Sequence, residues 1–322
     1  MALSDMQVFN QYVMPAIAEL FPQMIDKFNG ASNNTIMLTS EGFTGSFLEQ
    51  SFYDAIHSSQ RRVDRLAANG AQAATDLTQS NHASVKVAGG FGPILFEPSQ
   101  LTWLRKPTQE GITIAAQQFS QALLADQLNT AIASLVAAIG NNSAVVNDVS
   151  GSGQVTQLAV NGGLAKFGDA SQALRALVMT GAQYHTLVGE AISNSNSLFE
   201  IGGVAVREGT AFGQGRPIIV TDAPALTTAD PFENVLGLTA GAAEVADGND
   251  IITNIETTNG KARIETTMQV DYTFGVKLKG YSWDTTNGGA SPSDAALATG
   301  SNWDKVVSSD KHTAGVMIIG QQ

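Results

Sequence analysis

Ile264-Glu265-Thr266-Thr267-Met268-Gln269-Val270-Asp271-Tyr272-Thr273-Phe274-Gly275-Val276-Lys277-Leu278-Lys279 alternates in character along its length. Ile264, Met268, Val270, Tyr272, Phe274, Val276 and Leu278 hold the even positions. Glu265, Thr267, Gln269, Asp271, Thr273, Lys277 and Lys279 hold the odd ones. A period of two sustained for about fifteen residues predicts a single strand far longer than the usual 5–6. Just upstream, Asn259-Gly260 is a type I′ hairpin signal, which predicts a tight turn joining this strand to a partner at Asp250–Thr257. Further upstream, residues 108–139 give the strongest helical pattern. Ile112, Ala116, Phe119 and Leu123 form one stripe, and Leu128, Ile132, Leu135 and Ile139 continue it until Gly140-Asn141-Asn142. About 30 residues at 1.5 Å each predict a rod of roughly 45–50 Å. One long helix and one long β-ribbon make an elongated α+β architecture.

The remaining chain is less regular. Residues 5–28 place Phe9, Tyr12, Val13, Ala16, Ile17, Leu20, Phe21, Met24 and Ile25 on a helical face, with Pro15 predicted to kink it. Such a segment needs an apolar partner, either its own domain or a neighbouring subunit. Thr35–Leu38 reads as a short strand and Phe47–His57 as a short helix. Ser84–Val87 alternates like a strand, and Gly89-Gly90-Phe91-Gly92-Pro93 reads as a glycine-rich turn before Ile94-Leu95-Phe96. Residues 150–163 read as a polar loop or linker. Asp169 is expected to cap a second helix carrying Leu174, Leu177, Val178, Tyr184 and Leu187. Short strands are expected at Val204–Val206, Pro217–Thr221 and Val235–Leu238.

Composition narrows the function classes. Charged residues make up only 14% of the 322 positions, against a usual share of roughly 25%. A neutral polar surface is cheap to desolvate, which suits a protein covered by copies of itself. Lys+Arg number 17 against Asp+Glu 29, a formal net charge of −12. Phosphate counterion release therefore favours this chain little, and only weak, non-specific contact with nucleic acid is expected. Without cysteine there are neither disulfides nor thiolate metal sites. No secretory signal is visible, and no run of 18 apolar residues occurs, so no membrane partner is expected.

Catalytic and metal signatures are weak. His57, His82, His185 and His312 lie far apart with no second ligand at metal spacing. The nucleophile elbow, the zincin helix and the dinucleotide fingerprint are all missing. Asp247-Gly248-Asn249-Asp250 resembles half of a calcium loop, but Thr258 stands where the closing glutamate belongs, which favours an Asp/Asn turn. Arg61-Arg62-Val63-Asp64-Arg65 is the one dense basic cluster, either a solvated face or the complement to an acidic patch on a neighbour. Neither a cofactor nor an enzymatic activity is expected.

Two stretches resemble the major capsid proteins of tailed bacteriophages. The first is Asn161-Gly162-Gly163-Leu164-Ala165-Lys166-Phe167-Gly168-Asp169-Ala170-Ser171-Gln172, followed by Leu177-Val178-Met179. The second runs from Trp283-Asp284-Thr285-Thr286-Asn287-Gly288-Gly289 through Ala290–Leu297, then Asn302-Trp303-Asp304-Lys305 and Ala314-Gly315-Val316. Met1–Asp5 fits the same family, and Thr180-Gly181 departs from it where His-Ser is expected.

The resemblance implies a Hong Kong 97-type capsid fold. In it, residues 1–34 are an N-terminal arm, 35–105 an extended loop and the start of the peripheral domain, and 106–142 the spine helix. Residues 143–250 are the axial domain, and 251–322 the β-ribbon and the C-terminal parts of both domains. It implies self-assembly into hexamers and pentamers of an icosahedral head around double-stranded DNA, made in the host cytoplasm, with portal and scaffolding proteins and a decoration protein as partners. No N-terminal pro-domain is expected. Phe9, Tyr12, Phe21, Arg61, Arg62, Arg65, Lys86 and Phe91 are the candidate assembly-interface residues. An encapsulin-type compartment and an extracellular surface-layer protein are the rival readings.

Overall fold

The computed structural model describes residues 20–39, 45–53, 60–74, 76, 79–96, 109–151, 153–193, 197–201, 204–207, 216–228, 232–248, 250–259 and 265–321. The chain enters through a helix at residues 20–31 (α1) and a strand, β1 (Ile36–Thr39). Two long antiparallel strands follow, β2 (Phe47–Tyr53) and β3 (Gln79–Phe96). Next comes α2 (Gln109–Gly140), then β4 (Val146–Asp148) and α3 (Gln157–Leu164). A 3-10 segment, Ala165–Ala173, leads into β5 (Leu174–Met179) and α4 (Gly181–Ser193). A two-stranded ribbon pairs β6 (Ser197–Ile201) with β7 (Val204–Arg207). Then come β8 (Ile218–Val220), β9 (Thr227–Thr228), β10 (Phe232–Thr239) and β11 (Ala243–Asp247). The chain closes with β12 (Ile252–Thr258), β13 (Glu265–Leu278), β14 (Tyr281–Trp283), α5 (Asp294–Leu297), β15 (Trp303–Lys305) and β16 (Gly315–Gln321).

Among the described residues these strands form two large sheets. The first runs β1-β11-β13-β14-β15, with β12 and β3 also on β13 and β2 on β3. The second runs β4-β16-β10-β5-β8, with β9 beside β10. The long strand β13 is the organiser of the first sheet, because β11 and β12 share one of its edges and β3 takes the other. Its even face is buried from Val270 to Leu278, as alternation demands. Helix α2 lies against β11 and β13 of the first sheet and β16 of the second. Leu123, Ala131, Ile132, Leu135, Ala138 and Ile139 supply its buried stripe, and the two sheets share one continuous apolar core around it. Residues 117–140 of α2 are long and apolar enough to cross a membrane by length and composition, but half of the most apolar 18-residue window in it is buried, as in a core helix.

Several local expectations are corrected. Residues 47–53 are strand, not helix, because their hydrogen-bond partners are residues 79–85 of β3. Gly89–Pro93 is no turn. It is the middle of β3, paired with β13, and the register slips there between Met268 and Val270. Gly89 is required by a close approach, since a Cβ there would sit 2.7 Å from the Tyr272 ring. The polar stretch at 150–163 ends in α3, capped by the Thr156 hydroxyl, which accepts from Ala159 N. Gly163 closes that helix under β16, with no room for a side chain beside Ile318. Leu174–Met179 is a buried strand, and the helix expected there begins only at Gly181. Its cap is Thr180, whose hydroxyl accepts from Gln183 N at 3.1 Å, while Asp169 instead pairs with Lys311. Thr258 pairs with Glu265, a register that does not centre a turn on Asn259-Gly260, and residues 260–264 lie outside the described residues.

Candidate assembly surface

The hairpin of β2 and β3 carries the candidate surface. Its strands pair from Phe47↔Val85 to Tyr53↔Gln79, away from the second sheet. Beyond them, residues 60–74 and 76 are exposed throughout. Arg61, Arg62 and Arg65 therefore stand in solvent at the tip, and the Asp64 carboxylate accepts from Leu66 N at 2.9 Å to shape the turn. Beside the arginines sit two exposed apolar side chains, Val63 between Arg62 and Asp64 at 63% exposure and Leu66 just after Arg65 at 97%. Leu66 buries almost none of its side chain against its own subunit. In the sequence Val63 and Leu66 show only as single apolar residues in a charged run.

The other candidates fall elsewhere. Phe9 and Tyr12 lie outside the described residues. Phe21 is 4% exposed and sits with Ile25 in the chain's own core, so the described part of that segment packs on its own domain. Phe91 packs edge-on against Phe119 of α2 at 5.5 Å and lies 5.4 Å from the Tyr272 ring. Lys86 Nζ is 3.5 Å from the Asp250 carboxylate, which also accepts from the Thr273 backbone N–H and hydroxyl. Those bonds hold the Asp250 carboxyl below the usual carboxylate range despite the opposing effect of partial burial. They tie Asp250, the last residue of the half-calcium-like stretch, to β13 and β3. The hairpin tip is thus solvent-facing, and Lys86 and Phe91 help fasten its base to β13 and α2.

The stretches that carried the resemblance are structural. Trp283 and Trp303 face each other across β14 and β15 at 4.8 Å, edge to face. Their indole N–H groups donate to Gly289 O and Leu297 O, both at 3.0 Å. The Asp284 carboxylate gathers the N–H groups of Thr286 and Asn287, which hold it below its ordinary pKa. Phe167, in the first stretch, is fully buried. Tyr184 and His185 form an edge-to-face pair at 5.5 Å on α4. Among the described residues no group of three or more His, Asp or Glu side chains could hold a metal.

A long helix laid along a long ribbon, a second sheet with β16 inserted between β4 and β10, and a hairpin ending in solvent together give a fold of the Hong Kong 97 type. The capsid asymmetric unit of cyanophage Pam1 matches at a TM-score of 0.51 and 14% identity, covering 89% of this chain and 88% of that one. A structure from Microbacterium phage Oxtober96 matches at 0.50 and 12% identity, covering 90% of each chain. No curated protein sequence matches the chain. Residues 5–317 match the Gp13-like family, described as Major capsid protein 13-like, and the chain belongs to that family. A major capsid protein is the repeating subunit of a virion's shell, so this chain associates with copies of itself there.

Proposed function

We propose that the chain assembles into hexamers and pentamers that close an icosahedral head around packaged double-stranded DNA. The observation that carries this reading is the family match across residues 5–317, joined to a hairpin tip that its own subunit leaves in water. In this reading residues 1–34 act as an arm, 35–105 as the extended loop, and 106–142 as the spine. Residues 143–250 supply the axial domain, and 251–322 complete the ribbon and the ends of both domains. The arginines at the tip meet acidic surface on a neighbour, and Val63 and Leu66 bury apolar area beside them. The role is mechanical and asks no catalysis of the subunit. Portal, scaffolding and decoration proteins are its partners, and the host cytoplasm is where it assembles. DNA touches the inner wall only weakly.

Electron microscopy of the purified chain, with light scattering on the same sample, tests this. Closed shells, tubes or capsomer rings are expected, with scaffold added if the chain alone stays dispersed. A compact monomer that persists at high concentration with scaffold present would overturn the reading.

A further inference from the structure

We propose that the cleft at the base of the hairpin receives a carboxylate from a second copy of this chain; the idea rests on the shell-forming role above. The cleft encloses about 360 Å³, and several elements meet in it. Gln50 and His82 come from the paired strands β2 and β3, Glu244 from β11, Lys277 and Lys279 from the end of β13, and His312 from the segment after β15. Gly280, in the turn between β13 and β14, also lines it.

The charges in this cleft do not balance. Lys277 Nζ lies 3.3 Å from the Glu244 carboxylate, so that pair is satisfied. Lys279 Nζ donates only to neutral oxygens, Ala240 O at 3.1 Å and Thr239 Oγ1 at 3.3 Å. No carboxylate pairs with it among the described residues. Its side chain remains open to solvent, so an incoming group can reach it, while partial desolvation holds its pKa below that of an ordinary lysine. His82 supplies wall and not charge, because its Nε2 is 2.8 Å from Leu278 O and burial lowers its pKa. One ammonium without a carboxylate partner, in a cleft also lined by the Gln50 amide, suits one carboxylate.

The chain itself supplies such groups in excess. Asp and Glu number 29 against 17 Lys and Arg, so each copy brings carboxylates that its own cations cannot neutralise. The cleft also adjoins the hairpin that would lie across a neighbour. One contact would therefore bury the tip and fill the cleft at its base.

Carbodiimide coupling on assembled shells, built from a mixture of isotopically heavy and light subunits and mapped by mass spectrometry, tests the site. The expected product is an amide between Lys279 and an Asp or Glu of another copy, lost when subunits are kept unassembled. Lys279→Gln should raise the concentration for half-assembly by about tenfold, with the subunit's melting temperature unchanged, and Lys279→Arg should restore assembly. Shells in which Lys279 couples only within its own chain, or to packaged nucleic acid, would overturn the site and leave the shell role standing. Assembly of Lys279→Gln at the wild-type concentration would do the same. If the wild-type chain forms no shell under any condition, both fail together.

Discussion

Tyr272 shows how single residues fasten the long elements to each other. Alternation makes it one more apolar position of the strand, and it is buried. Its hydroxyl does something alternation cannot forecast, donating to the Asp126 carboxylate of α2 at 2.7 Å. Burial and that carboxylate's negative charge both push the phenol's pKa well above its ordinary value of 10.0. A raised pKa means the folded state favours the protonated phenol. The associated stability is complete below the unfolded value near 10 and is lost as pH climbs beyond it. Tyr272→Phe should therefore destabilise the subunit by about 1–2 kcal/mol at neutral pH, measured by chemical denaturation, and should flatten the alkaline limb of its stability profile. Wild-type stability for Tyr272→Phe would show that this bond adds nothing. The partner was illegible beforehand because it lies 146 residues away in sequence.

At the scale of elements, length decided what could be read. The helix α2 and the strand β13 each repeat their pattern often enough that the period is unmistakable, and both lie within a few residues of their expected bounds. Short apolar runs were ambiguous. Leu174–Met179 is apolar at most positions because β10 and β8 flank it and it is buried on both faces, a situation in which alternation disappears. Residues 47–53 carried good helix formers, and only pairing with β3 makes them strand. The arginine cluster was visible in the sequence, whereas Val63 and Leu66 stood out only once their exposure was known. Replacing Leu66 with Ser should leave the subunit's stability within about 0.5 kcal/mol. Shell formation should weaken several-fold, and reversing Arg61, Arg62 and Arg65 to Glu should weaken it further. Sedimentation of assembled against free protein reads both effects, and unchanged assembly in both variants would remove the tip from the interface.

For the molecule as a whole, the balance of charge bears most directly on what it can hold. A formal net charge of −12 opposes any close wrapping of phosphate. At about 0.15 M salt, where the Debye length is about 8 Å, filter binding should detect no stable complex between the dispersed subunit and duplex DNA at micromolar protein. Tight binding with a steep salt dependence would contradict that. The fold class was legible from two long elements and two family-like stretches. The organisation of the second sheet was not, because β16, at the chain's end, inserts beside β10 and pairs with β4 across more than half the sequence. The strand β3 has one further consequence, and it is mechanical. Eighteen residues at about 3.3 Å each give a single covalent bar of roughly 60 Å that begins in the hairpin and ends beside β13. A pull on the hairpin along that bar loads its ladder with β13 in shear, all rungs together, instead of peeling them one at a time. Tension arriving at the tip would thus pass, with little give, into the ribbon and the helix packed on it.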